Sequence, residues 1–162
     1  MVFPGIPAID ERDHDLAYLS SQAFGHKWRI LLEALAGELF ENFSPDEARG
    51  FFRQIGARVA RQIPLPQTAT LVELDNAIGA AISNLGWGYS RLLFEDNVML
   101  VFHRAYPGAH ESGTSAAWRN AFSALLEGLY TAWVHSQGGS SDLRAYVQED
   151  ALANGFVFKF GY

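Results

Sequence analysis

Aromatic side chains are the residues of this chain best suited to chemistry: 12 Phe, 6 Tyr and 4 Trp supply 14% of its 162 residues. Trp87, Tyr89, Tyr130 and Trp133 each join a flat ring to a polar atom, the combination that stacks on a sugar ring and orients its hydroxyls. The same rings serve a core or a subunit interface, where aromatic stripes of period 2 or 3.6 mostly belong. Five histidines, His14, His26, His103, His110 and His135, form no H-x3-H pair and no H-E-x-x-H motif. With no Cys to add a thiolate, no metal and no cofactor are expected. Asp13-His14-Asp15 holds groups fit for acid–base work, but neighbours on a helix point apart. An acid-rich helix start explains them better. Ser112, Ser115, Ser140 and Ser141 fall in loops outside any G-x-S-x-G elbow. Gly86-Trp87-Gly88 lacks the third Gly of a dinucleotide loop and precedes a strand pattern. A glycosidase needs only two acids about 5–10 Å apart. The acids here gather in helix caps and turns, so a small glycan hydrolase is an alternative and no catalytic residue is assigned.

These residues need elements to position them. Residues 1–12 hold two prolines, Pro4 and Pro7, and enter the charged run Asp10-Glu11-Arg12-Asp13, and read as an extended arm. A first helix is expected over 15–42, with Trp28, Leu31, Leu32, Leu35 and Leu39 at helical spacing. Ser44-Pro45-Asp46-Glu47 is a capping box with Pro at the first helical position, opening a helix to about residue 63 that Pro64 and Pro66 stop. That helix should turn Phe51, Phe52, Ile55 and Val59 inward. Arg49, Arg53, Arg58 and Arg61 are then read as an outer face paired with helix acids. Thr70-Leu71-Val72-Glu73 opens a third helix with Leu71, Leu74, Ile78, Ile82 and Leu85 as its stripe, and Gly86 follows its end.

The period then changes to that of a β-hairpin, 87–94 and 98–106, around Glu95-Asp96-Asn97. A fourth helix over about 116–136 carries Trp118, Phe122, Leu125, Leu126, Leu129 and Trp133 on one face. Gly128 inside it costs about 1 kcal/mol relative to Ala, which points to close approach of another backbone. A second hairpin, 143–148 and 156–162, ends with Phe156, Phe158, Phe160 and Tyr162 on one face. The expected class is α+β in the order ααα-ββ-α-ββ, an antiparallel sheet of two hairpins packed against helices, as one domain over 1–162.

Composition narrows the partners. A net charge of −6 argues against nucleic acid, which needs a concentrated basic surface. No segment approaches the roughly 20 apolar residues of a membrane span. The N-terminus lacks the basic and apolar regions of a signal peptide, so cytoplasmic residence is expected.

Two motifs carry a family resemblance. Asn84-Leu85-Gly86-Trp87-Gly88-Tyr89, then Leu126-Glu127-Gly128-Leu129-Tyr130 with Trp133, Ser136 and Gln137, resemble the D subunit of bacterial cellulose synthase in order and spacing over residues 28–149. That family has an N-W-G-Y type junction after its third helix and an L-E-G-L-Y-x-x-W-x-x-S-Q helix. The resemblance implies a non-catalytic accessory subunit that forms a homo-octamer, a tetramer of dimers. Such an assembly surrounds channels for nascent β-1,4-glucan and helps order the chains into crystalline fibrils. The cellulose synthase catalytic complex and a Pro-rich accessory subunit are the implied partners. The family has been placed in the periplasm as well as the cytoplasm. Phe3, on the arm that the family uses at the passage surface, joins Trp87, Tyr89, Tyr130 and Trp133 as a candidate glucan or subunit-interface contact. A small-molecule sensor with an apolar pocket between helices and hairpins is the other alternative.

Overall fold

The two capping sequences start their helices where expected. In the computed structural model, which describes residues 26–111, 113–148, 152 and 154–162, α1 spans His26–Asn42, α2 Pro45–Gln62 and α3 Leu71–Asn84. The part of the first expected helix before His26, the arm and Asp13-His14-Asp15 lie outside the described residues. At α2 the box is closed both ways: Glu47 N–H donates to Ser44 Oγ (3.3 Å) and Ser44 N–H donates to the Glu47 carboxylate (3.0 Å). At α3 the return half is displaced by one residue. Glu73 N–H donates to Thr70 Oγ1 (3.1 Å), but the Glu73 carboxylate accepts from Ala69 N–H (2.7 Å). Gly86, at φ 69°, ends α3 in the left-handed region open to glycine, and Trp87 N–H closes back on the Ile82 carbonyl (3.2 Å).

Four strands follow the expected hairpins: β1 Tyr89–Glu95, β2 Val98–Arg104, β3 Arg144–Gln148 and β4 Gly155–Gly161, with α4 Ala116–Ser136 between the pairs. Asp96 and Asn97 both take positive φ (50° and 61°), the geometry of a two-residue turn whose twist matches the strands. The sheet order is β1-β2-β4-β3, antiparallel throughout, so the two hairpins join through their second strands. Phe156, Phe158 and Phe160 turn into the core as one aromatic face, whereas Tyr162 lies beyond the strand and is exposed.

The helix reading needs correction in three places. First, α4 is buried around most of its circumference rather than on one face: Ala121, Ser123, Ala124, Glu127, Tyr130 and Val134 are buried along with the predicted stripe, of which Leu125 alone is only partly covered. The sheet lies on one side and α2 on the other, so it is the central rod of the fold. Second, α2 turns inward a stripe of mostly small residues, Ala48, Phe52, Gly56 and Ala60, and leaves Phe51 exposed. Third, the apolar face of α1 finds little cover among the described residues: Ala36 is buried, while Trp28, Ile30, Leu31, Leu32 and Leu35 are exposed.

Small residues line α2 because its backbone meets that of α4. A Cβ on Gly56 would stand 1.9 Å from the Leu125 carbonyl oxygen, and one on Gly128 would stand 2.0 Å from the Arg53 carbonyl oxygen. The close packing expected at Gly128 is therefore present, with Gly56 as its counterpart. The helices run in the same direction: Arg49 reaches Asn120 and Ser123, Arg53 reaches Glu127, and Ile63 meets Trp133.

Gly128→Ala forces two backbones apart and should lower unfolding free energy by about 3 kcal/mol in urea titrations. Gly50→Ala on the same helix α2, with nothing within 4 Å of its Cβ, should instead stabilise by up to about 1 kcal/mol.

Candidate functional site

The residues of the two motifs converge on one buried polar network. Glu127, 3% exposed, holds three elements together. Its Oε2 accepts from Arg53 Nε (2.7 Å) and pairs with Arg49 Nη2 (2.9 Å), while its Oε1 accepts from the backbone N–H of Val147 in β3 (2.9 Å). Arg49 also donates to Ser123 Oγ and the Asn120 carbonyl. A carboxylate this deep is tolerable only with its charge paired and its lone pairs filled, and both conditions are met. Two of the four α2 arginines thus pair with an acid, as expected, but across a helix–helix interface rather than on an outer face.

One turn further, Tyr130 and His103 are fully buried side by side. His103 Nε2 lies 2.8 Å from the Trp87 carbonyl, which can only accept, so Nε2 carries the proton and Nδ1 accepts from the Tyr130 hydroxyl at 2.6 Å. Burial pushes the imidazole down to about 4, against the opposing hydrogen bond to Trp87, and burial raises the Tyr130 phenol above its ordinary value. His103 is therefore a neutral structural bridge between the Trp87 junction and α4. Trp133 Nε1 donates to the Ile63 carbonyl (2.8 Å). Gln137 Oε1 accepts from Thr68 N–H (3.0 Å), and Gln67 donates to the Ser136 carbonyl (3.1 Å), clamping the linker after α2.

Of the candidate contacts, Tyr130 and Trp133 are core residues with at most 1% exposure, and Phe3 lies outside the described residues. Trp87 and Tyr89 remain half-exposed, Tyr89 at the start of β1 and Trp87 packed edge-on against Phe122. Trp87 borders a cleft of about 650 Å³ between α1, α2, α4 and the segment after β2. That volume lies within the roughly 300–1,000 Å³ of small-molecule sites. Trp118, Phe122 and Phe52 line its interior, and Trp28, Arg29, His110 and Glu111 also border it. Ala105 in its wall takes φ 53°, a left-handed conformation that costs a non-glycine residue about 1–2 kcal/mol. Arg29 donates through both terminal nitrogens to Glu111 and pairs with Glu33 at 3.0 Å. The Glu111 hydrogen bond, opposed by burial, holds the guanidinium above its ordinary pKa.

Sequence reading missed His103, Gly56 and the partners of Glu127. An alternating strand marks His103 as inward-facing beside Val101, but its bond to Tyr130 depends on how the sheet meets α4. Among the described residues no group of three His, Asp or Glu could hold a metal, and no helix is long and apolar enough to cross a membrane.

This arrangement defines an α+β protein whose motif residues serve the joining of helices and sheet. The chain belongs to the family of cellulose synthase D subunits, whose model matches residues 14–161. It is similar to cellulose synthase operon protein D from Komagataeibacter xylinus and from Komagataeibacter sucrofermentans. Each is 28% identical over 114 residues, covering 68% of this chain and 71% of the relative. The family places the chain as an accessory subunit of the cellulose synthase operon.

The buried His103 makes stability depend on pH. Its imidazole binds a proton near 6.5 when unfolded but near 4 when folded, so the unfolded state gains protons first on acidification. Its contribution is complete above pH 6.5 and lost as pH falls towards 4, about 3 kcal/mol in total. Urea midpoints should decline from pH 7 to pH 5, and His103→Gln, though less stable overall, should flatten that decline.

Proposed function

We propose that the chain is a non-catalytic accessory subunit that assembles with copies of itself and scaffolds the cellulose synthase complex, organising export and crystalline ordering of nascent β-1,4-glucan. The observation that carries this reading is the apolar face of α1. Trp28, Ile30, Leu31, Leu32 and Leu35 are all exposed, with exposed Phe51 and Phe43 nearby in sequence on α2 and the α1–α2 link. A helix apolar around so much of its surface belongs in an interface. The sheet edges support assembly through helices. On β1, Leu92 N–H donates to Asp75 of α3 (2.6 Å); on β3, Ala145 and Val147 N–H donate to Thr131 and Glu127 of α4 (each 2.9 Å). Edge groups satisfied in this way are poor templates for strand addition.

The family resemblance supports a tetramer of dimers, with a Pro-rich accessory subunit as a second partner. Half-exposed Trp87 and Tyr89 are the described residues offered for glucan or subunit contact. The neutral polymer needs no basic groove, in keeping with the net charge of −6. The cleft beside Trp87 favours a second reading, a small-molecule-binding module, whose sign is a ligand retained in native mass spectrometry.

Light scattering should find a multimer at micromolar concentration, and Leu31→Glu with Leu35→Glu should reduce it to smaller species while circular dichroism is preserved. A clean monomer for the unaltered chain would sink the assembly reading. Deleting the gene should lower cellulose yield or crystallinity while synthase activity in isolated membranes persists.

A further inference from the structure

We propose that the two ends of the sheet are complementary docking surfaces, so that the β1 end of one copy of the chain seats against the β3 end of the next. The strand order β1-β2-β4-β3 puts these strands at opposite edges. At the β1 end an apolar patch follows from the run of α3 along the strand. A Cβ on Gly79 would stand 3.8 Å from the Ser90 carbonyl oxygen, and Asp75 accepts the Leu92 N–H at 2.6 Å. The helix therefore travels antiparallel to β1, one turn for every two strand residues, and the next step brings Leu71 level with Phe94. Leu71, Val72 and Phe94 are all exposed. Glu73, Glu95 and Asp96, also exposed, rim them with negative charge, while Arg91 is already paired with Asp75 at 3.1 Å.

The opposite end carries the counterpart. Tyr146 is exposed on β3, with the exposed cations Arg144 on the same strand and Lys159 beside it on β4. Among the described residues no ion pair engages either cation. The register aligns the two ends. Leu93 pairs with Leu100, Leu100 with Lys159 and Lys159 with Tyr146, so Leu93 and Tyr146 share one row across the sheet. One row on, Glu95 pairs with Val98 and Gly161 with Arg144, which puts an acid and a base at the same level. A second copy set alongside, strands in the same sense, brings Phe94 and its neighbours to Tyr146 and Glu95 to Arg144. Side chains and the first turn of α3 make this contact, since the edge N–H groups of Leu92, Ala145 and Val147 are already bonded. Opposite charges fix its register and disfavour like-to-like docking. Unlike surfaces joined head to tail close into a ring or run on as a filament, so this contact extends an assembly, and it shares no residue with the exposed face of α1.

The chain has no Cys, which makes disulfide trapping a clean test. Full-length chains carrying Phe94→Cys are co-expressed with chains carrying Tyr146→Cys, oxidised mildly at micromolar concentration and mapped by mass spectrometry. Both side chains are exposed, so circular dichroism should be unchanged. Within one chain the two positions lie three strand spacings, roughly 14 Å, apart, too far for a bond, so any link between them joins two copies. Linked pairs should be severalfold more abundant in the mixture than in either variant alone, and a chain with both substitutions should give a ladder of linked oligomers. Equal linkage in the mixture and in a single-variant sample, or none in any, would overturn the proposal. Arg144→Glu in the Tyr146→Cys chain should cut the yield severalfold, and Glu95→Arg in the Phe94→Cys chain should restore it; a reversal without effect, or without rescue, would sink it. Linkage should persist when both chains also carry Leu31→Glu with Leu35→Glu, which separates this contact from the one assigned to α1. Its loss in that background would make it a consequence of the α1 contact and refute an independent surface, whereas an α1 variant that leaves assembly size unchanged would count against the α1 reading alone.

Discussion

Everything else in this structure is arranged around the contact of two backbones at Gly56 and Gly128. Each glycine lies against the main chain of the other helix, and a single methyl group on either would stand at about 2 Å from a carbonyl oxygen. Helices that close share little side-chain volume between their axes, so the bulk of α4 must be spent elsewhere. Trp118, Phe122, Tyr130 and Trp133 therefore turn to the sheet, the cleft and the end of α2. The aromatic excess of the chain is in large part the filling around this contact.

The same approach makes the buried charge possible. With α2 drawn against α4, Arg49 and Arg53 reach Glu127 without leaving their helix, and the second carboxylate oxygen is free to take a backbone N–H of β3. One side chain then fixes two helices and a sheet edge. Breaking such a group is costly because the remaining charges stay buried. Thr131 and Asp75 repeat the device elsewhere on the sheet edges, which leaves the unpartnered face of α1 as the prominent apolar surface among the described residues.

Local rules were legible and long-range ones were not. Ser44, Thr70 and Gly86 announce helix ends because the groups that cap a helix are near neighbours in sequence. Asp96-Asn97 announces its turn for the same reason. Counting large apolar residues failed on α2, where the buried face is built mostly of Ala and Gly. It failed on α1 because helical spacing reports a face without saying what covers it. Tyr130 and Trp133, attractive as stacking rings, have their polar atoms satisfied by His103 and Ile63, residues 27 and 70 positions away.

By itself the sequence determined the α+β class, the element order, most helix ends, the hairpins and the family, since these follow from periodicity, capping and motif spacing. Tertiary structure decided which aromatics are core, which arginines meet Glu127, how the hairpins join, and where a cleft opens. Those outcomes depend on the crossing of α2 and α4 and on the docking of the sheet against α4. Both bring together groups tens of residues apart, whose meeting no local pattern encodes.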